Sequence, residues 1–90
     1  MRESYIEKRV CAYAVLLGWV HYKFSSPGNR GVPDRILLRK GRIIFIEFKA
    51  TGKKPTKLQY YIHKIIRKLG FKVYVVDDIE AGKMLLDEIS

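Results

Sequence analysis

An α/β domain built on a mixed four-stranded sheet is predicted by three features of this 90-residue chain. Apolar residues recur at helical spacing in three segments. Four short runs are rich in β-branched and aromatic residues. Glycines and a Pro/Gly/Asn loop separate these segments.

The elements follow in order. Residues 3–17 read as a helix, because Ile6, Val10, Tyr13, Ala14 and Leu17 form one apolar stripe and Gly18 can close the end. Residues 19–24 read as a strand. Ser25 to Val32 contains Pro27, Gly28, Asn29 and Gly31 and reads as a loop. Residues 34–39 and 42–49 read as two strands joined by Lys40-Gly41, and Gly at the second loop position fits a tight two-residue hairpin. Ala50 to Pro55 is a basic loop. Residues 57–69 read as a second helix with the stripe Leu58, Tyr61, Ile62, Ile65 and Leu69, ended by Gly70. Residues 71–76 are a strand, and 79–89 a final helix. The order is α-β-β-β-α-β-α, in one domain spanning residues 1–90. The strand at 42–49, the second helix and the strand at 71–76 make a right-handed crossover, which puts a parallel pair into the sheet.

Charge narrows the functional classes. The net charge is +9, but residues 77–90 hold five acids and one base. Residues 1–76 therefore carry 17 bases against four acids: Glu3, Glu7, Asp34 and Glu47. Such a surface suits a polyanion, most often a nucleic acid. A membrane partner is disfavoured, since no helix sets a basic face against a Trp/Phe/Leu face and no apolar run reaches spanning length. The start of the chain does not read as a secretory signal, so a cytoplasmic protein is expected. The single Cys11 cannot form an intrachain disulfide and makes a thiolate metal site a poor fit.

The hairpin brings three residues to one place. Counting outward from Lys40-Gly41 sets Arg39 against Arg42, Ile36 against Phe45, Arg35 against Ile46, and Asp34 against Glu47. Alternation puts Glu47 and Lys49 on one face with Ile36, Leu38, Ile43 and Phe45, and Ile44, Ile46 and Phe48 on the other. Taken singly, Glu47-Phe48-Lys49 is a surface ion pair and Pro33-Asp34 a turn. Together they place two acids and a lysine at the end of an otherwise apolar strand pair. Opposed like charges destabilise a sheet. A hard divalent cation removes that conflict, because carboxylate oxygens are its preferred ligands. Such an ion polarises a phosphoryl oxygen and acidifies water, and Lys49 is placed to orient that water or to stabilise developing charge.

Other residues carry two readings. Glu7 borders the apolar stripe of the first helix and can reach the paired acids, with Glu3 one turn back as a competitor. Both are equally helix N-terminal acids favoured by the macrodipole. Gln59 matches a capping box with Thr56 and is also a candidate to orient a water or phosphate. Lys23, Arg30, Arg35, Lys53, Lys54 and Lys57 flank the acids as candidate phosphate contacts. Lys64, Arg67 and Lys68 read as the solvent face of the second helix. His21 and His63 stand alone and read as structural, and Trp19, Tyr22 and Phe24 read as core.

Gly31-Val32-Pro33-Asp34-Arg35, then Glu47-Phe48-Lys49, then Gln59, resembles the VRR-NUC branch of the PD-(D/E)xK nuclease superfamily. The likeness runs from the Glu-x-x-x-Glu start of the first helix to Val73-Tyr74-Val75-Val76-Asp77. It implies a restriction-endonuclease-like fold and a Mg²⁺- or Mn²⁺-dependent phosphodiesterase acting on DNA. Asp34, Glu47 and the Phe48 backbone carbonyl would hold the metal, with Glu7 as the first-helix acid, Lys49 as the catalytic lysine and Gln59 in the site. Small stand-alone members resemble homodimeric Holliday-junction resolvases, which implies a homodimer acting on branched DNA. A non-catalytic nucleic-acid-binding module and a nuclease acting on RNA are the alternatives.

Overall fold

The computed structural model describes residues 1–90 as seven elements. They are α1 (Glu3–Leu16), β1 (Val20–Lys23), β2 (Arg35–Arg39), β3 (Arg42–Phe48), α2 (Lys57–Lys68), β4 (Lys72–Val76) and α3 (Ile79–Ile89). Each lies within about a residue of its expected boundary, the usual uncertainty of an element end. The sheet runs β1-β2-β3-β4, antiparallel across the first three strands and parallel between β3 and β4.

The β2–β3 register is the one counted from the sequence, Arg39 against Arg42 through Arg35 against Ile46. Its cause is local. Lys40 and Gly41 both have positive φ, 39° and 79°, the backbone of a type I′ turn whose twist matches the flanking strands. With the turn fixed, every pair outward from it is fixed.

The core lies on one face of the sheet. Ile44, Ile46 and Phe48 of β3, with Leu37 and Val76, pack against Ile6, Val10, Cys11 and Ala14 of α1 and Ile79 and Leu86 of α3. The Cys11 thiol is buried there, and burial pushes its pKa up to about 11. Trp19 fills the end of this core, its Nε1 donating to Ser90 Oγ at 2.8 Å.

The opposite face is only partly covered, because α2 packs on the β4 side. Two expectations are corrected as a result. The α2 stripe has the spacing of a buried face, yet Leu58, Tyr61, Ile65 and Leu69 are exposed and only Ile62 is partly buried; the buried position is His63. Tyr22 was expected in the core with Trp19, yet it is 58% exposed. Its side chain lies on the half of the sheet that α2 does not reach. Phe24 is intermediate and packs on Phe45 at 5.6 Å between ring centroids.

Candidate active site

The loop after β1 delivers Asp34 through two constraints. Gly31 has φ +92°, and a Cβ there would lie 3.1 Å from Leu58 and Ile62 side-chain atoms, so α2 and the loop meet where only glycine fits. The Phe24 N–H then bonds the Asp34 carbonyl at 2.9 Å, extending the β1–β2 ladder by one residue. Continuing the β2–β3 register puts Asp34 opposite Glu47 and Pro33 opposite Phe48. Pro33 has no N–H to give to the Phe48 carbonyl. The Phe48 N–H is taken by the Asp34 carboxylate instead, at 2.7 Å to Oδ2.

Glu47 emerges on the α2 side of β3 and is 2% exposed. Three side chains surround its carboxylate. Gln59 Nε2 donates to Oε2 at 3.1 Å, and Lys49 Nζ stands 3.5 Å from the same oxygen. His63 Nε2 stands 3.8 Å from Oε1. Gln59 forms the expected cap and, in addition, holds Glu47. Its Oε1 accepts the Thr56 N–H at 2.9 Å while Thr56 Oγ1 accepts the Gln59 N–H at 3.2 Å, completing the capping box. The remaining amide hydrogens are free for Glu47.

Burial dominates the electrostatics. It pushes Glu47 up to about 7; the charge of Asp34 acts in the same direction, and Lys49 opposes it. Asp34 is also raised, by burial first, against the Phe48 N–H and with help from Glu7. Glu3 is raised by burial and then by Asp34. His63 is held below its ordinary value by burial, then by the positive charges of Arg67 and Lys49, so its ring is neutral at pH 7.

The other predicted residues divide. Glu7 does not reach the opposed acids freely. Arg35 shares the α1-covered face with Leu37, and its Nε meets Glu7 Oε2 at 2.6 Å, with His21 Nδ1 3.3 Å from Nη1. Arg35, expected as a phosphate contact, is therefore the partner of Glu7. Glu3 lies close enough for its charge to act on Glu47. Lys23, Arg30, Lys53, Lys54 and Lys57 are exposed, the last three in the loop leading to the N-terminus of α2 and at its first residue. His63, which reads as structural from the sequence, stands beside the Glu47 carboxylate. Its signal was the i, i+4 spacing from Gln59, which puts both on one helix face.

The largest surface cavity, about 550 Å³, lies at the far end of the hairpin beside Tyr22, Arg39, Lys40 and Arg42. It contains no acid, so the carboxylate chemistry lies elsewhere.

No three His, Cys, Asp or Glu side chains converge on one point. A divalent cation nevertheless fits the donors present. Two acids with raised pKa values adjoin each other, and Glu47 Oε1 is buried without a partner. Asp34, Glu47 and the Phe48 carbonyl that Pro33 leaves without a ladder donor are all hard oxygen ligands.

No family model matches the chain. It is 44% identical over 86 residues to "Putative nuclease p44" of Acyrthosiphon pisum secondary endosymbiont phage 1, covering 94% of this chain and 92% of that protein. It is also similar to the solved structure of a VRR_NUC domain, with a TM-score of 0.90, 30% identity, and coverage of 98% of this chain and 97% of that one.

Proposed function

The chain belongs to the VRR-NUC family of nucleases, and from that premise we propose that it is a metal-dependent endonuclease that hydrolyses DNA phosphodiesters. The observation that carries the proposal is the Glu47 carboxylate, 2% exposed and raised to about 7, beside Asp34 and Lys49. A binding module has no need of two adjoining, largely buried acids at the edge of a basic surface. A site for a cation does.

Asp34, Glu47 and the Phe48 carbonyl would hold Mg²⁺ or Mn²⁺, with Glu7 available behind them once released from Arg35. When bound, such an ion supplies Lewis acidity toward a phosphoryl oxygen and lowers the pKa of water. The protein's own groups do the rest. Lys49 orients the attacking water and offsets charge developing on the phosphorus oxygens. Gln59 holds one oxygen of the Glu47 carboxylate. Lys23, Arg30, Lys53, Lys54 and Lys57 bind backbone phosphates, the last three at a helix N-terminus that itself favours anions.

We further propose a homodimer acting on branched DNA such as a four-way junction. Two sites related by a two-fold axis can cut two strands symmetrically. The half-face of the sheet that α2 leaves uncovered exposes Val20, Tyr22 and Ile43, and α2 itself exposes Tyr61, Ile65 and Leu69, which supports this by leaving apolar surface for a partner. Light scattering that finds a strict monomer both free and on DNA would contradict it.

The test is incubation with linear, flapped and four-way-junction DNA and with matched RNA, in Mg²⁺ and in EDTA. Metal-dependent DNA cleavage, greatest on branched substrates, is expected. Binding without cleavage supports a non-catalytic module, and preference for RNA supports a ribonuclease.

A further inference from the structure

Three buried side-chain atoms have no hydrogen-bond partner: Glu47 Oε1, His63 Nδ1 and His63 Nε2. Buried polar atoms are rarely left unpaired, so such a cluster calls for an explanation. The atoms belong to neighbours. His63 Nε2 is 3.8 Å from Glu47 Oε1, and the two residues are 0% and 2% exposed. His63 also lies one turn beyond Gln59 on α2, on the face that already holds the other oxygen of Glu47.

We infer that His63 is a positioning residue for Glu47, donating its Nε2–H to Oε1 as Gln59 donates to Oε2. Its consequence for metal binding rests on the nuclease reading above; the contact itself does not. A neutral imidazole carries one proton, and the acceptor it meets selects the nitrogen that bears it. No other acceptor engages either ring nitrogen, so nothing competes with Glu47. Closing the gap to a normal hydrogen bond takes a shift of about 1 Å, within reach of small side-chain rotations. A carboxylate held at both oxygens cannot rotate about its last torsion, so its orientation toward Asp34 is set before a cation or substrate arrives. Outer-shell partners of this kind typically govern metal affinity by ~10–100-fold.

The test has two arms. In the first, long-range ¹H–¹⁵N correlation spectra of the metal-free protein report the His63 tautomer. A proton on Nε2, with a resonance that moves in Glu47→Gln, is expected. A proton on Nδ1, or an Nε2 resonance indifferent to Glu47→Gln, overturns the inference. In the second arm, calorimetry follows Mn²⁺ binding to wild type, His63→Gln and His63→Leu. Glutamine keeps an amide donor near the position of Nε2 and should bind the ion within a few-fold of wild type. Leucine fills the space without a donor and should bind it ~10-fold more weakly or worse, while melting no lower than wild type in EDTA. Equal loss in both variants, or no loss in either, overturns the inference. If wild type binds no metal but shows the expected tautomer, the metal reading fails while the contact between His63 and Glu47 stands.

Discussion

The Asp34 carboxylate accepts the Phe48 backbone N–H at 2.7 Å, on the strand whose next residue is Lys49. One side chain therefore closes the end of the β2–β3 ladder and stands opposite Glu47. These two roles separate by substitution. Asp34→Asn keeps an acceptor for Phe48 and removes a charge opposed to Glu47, so it should melt at or above the wild-type temperature in EDTA. Asp34→Ala strands a buried N–H, which costs roughly 1–3 kcal/mol. At roughly 4–8 °C per kcal/mol for a small domain, thermal melts will resolve that loss. Added Mg²⁺ should stabilise wild type but neither variant to the same extent, because the ion binds only the folded site.

Gln59 also serves two purposes, and Thr56 shares only one of them. Thr56→Ala removes the cap and should cost about 1 kcal/mol, with metal affinity nearly unchanged. Gln59→Ala should lose similar stability and weaken metal binding as well, since Glu47 loses its donor on Oε2. Melting curves alongside calorimetry distinguish the two; equal metal affinity in both variants contradicts the role given to the amide nitrogen.

The pH dependence of the metal-free protein has a definite sign. Burial raises Glu47 to about 7 in the fold from an ordinary value of 4.5. Between those values the folded chain keeps a proton that the unfolded chain has released. The resulting stability is full below the lower value and is lost as pH rises through the upper one. Asp34 is shifted in the same direction, while His63, lowered in the fold, opposes the trend below its ordinary value of 6.5 and only partly offsets it. In EDTA the melting temperature should therefore rise as pH falls through neutrality toward the ordinary carboxylate range, and Glu47→Gln should flatten that slope. Mg²⁺ should oppose the trend, because its ligands must be deprotonated. A wild-type slope of opposite sign, retained in Glu47→Gln, would assign it to other groups.

DNA binding should weaken steeply with salt, with a log–log slope of roughly one unit for each phosphate that a Lys or Arg neutralises. Replacing Lys53, Lys54 and Lys57 together with alanine should lower the slope accordingly and weaken all sequences alike. A triple variant with unchanged slope would remove this loop from the interface. Arg35→Ala should behave differently, because its guanidinium is held by Glu7.

Much of this was legible in the sequence because its causes are local. Lys40-Gly41 sets the turn, the turn sets the register, and the register brings Asp34 and Glu47 together without further information. The capping box was equally readable, since Thr56 and Gln59 are three residues apart. What was missed depends on which surface a helix meets. Leu58, Tyr61, Ile65 and Leu69 have the spacing of a buried stripe, but α2 covers only the β4 side and leaves them exposed. The same placement buries His63 against Glu47, a pair 16 positions apart in the chain that periodicity cannot show. Glu7 had the right distance from the site, but the strand face that aims Arg35 at α1 gives it another partner.

The most direct test of the central claim compares cleavage and binding in wild type and Asp34→Asn on a four-way junction and on linear duplex. Wild type should cut in Mg²⁺ and be silent in EDTA. Asp34→Asn should bind DNA at least as tightly as wild type, having lost a charge that repels phosphate, and should not cut. Near-normal cleavage by Asp34→Asn, or wild-type cleavage unaffected by EDTA, would contradict a metal-dependent site built on Asp34 and Glu47.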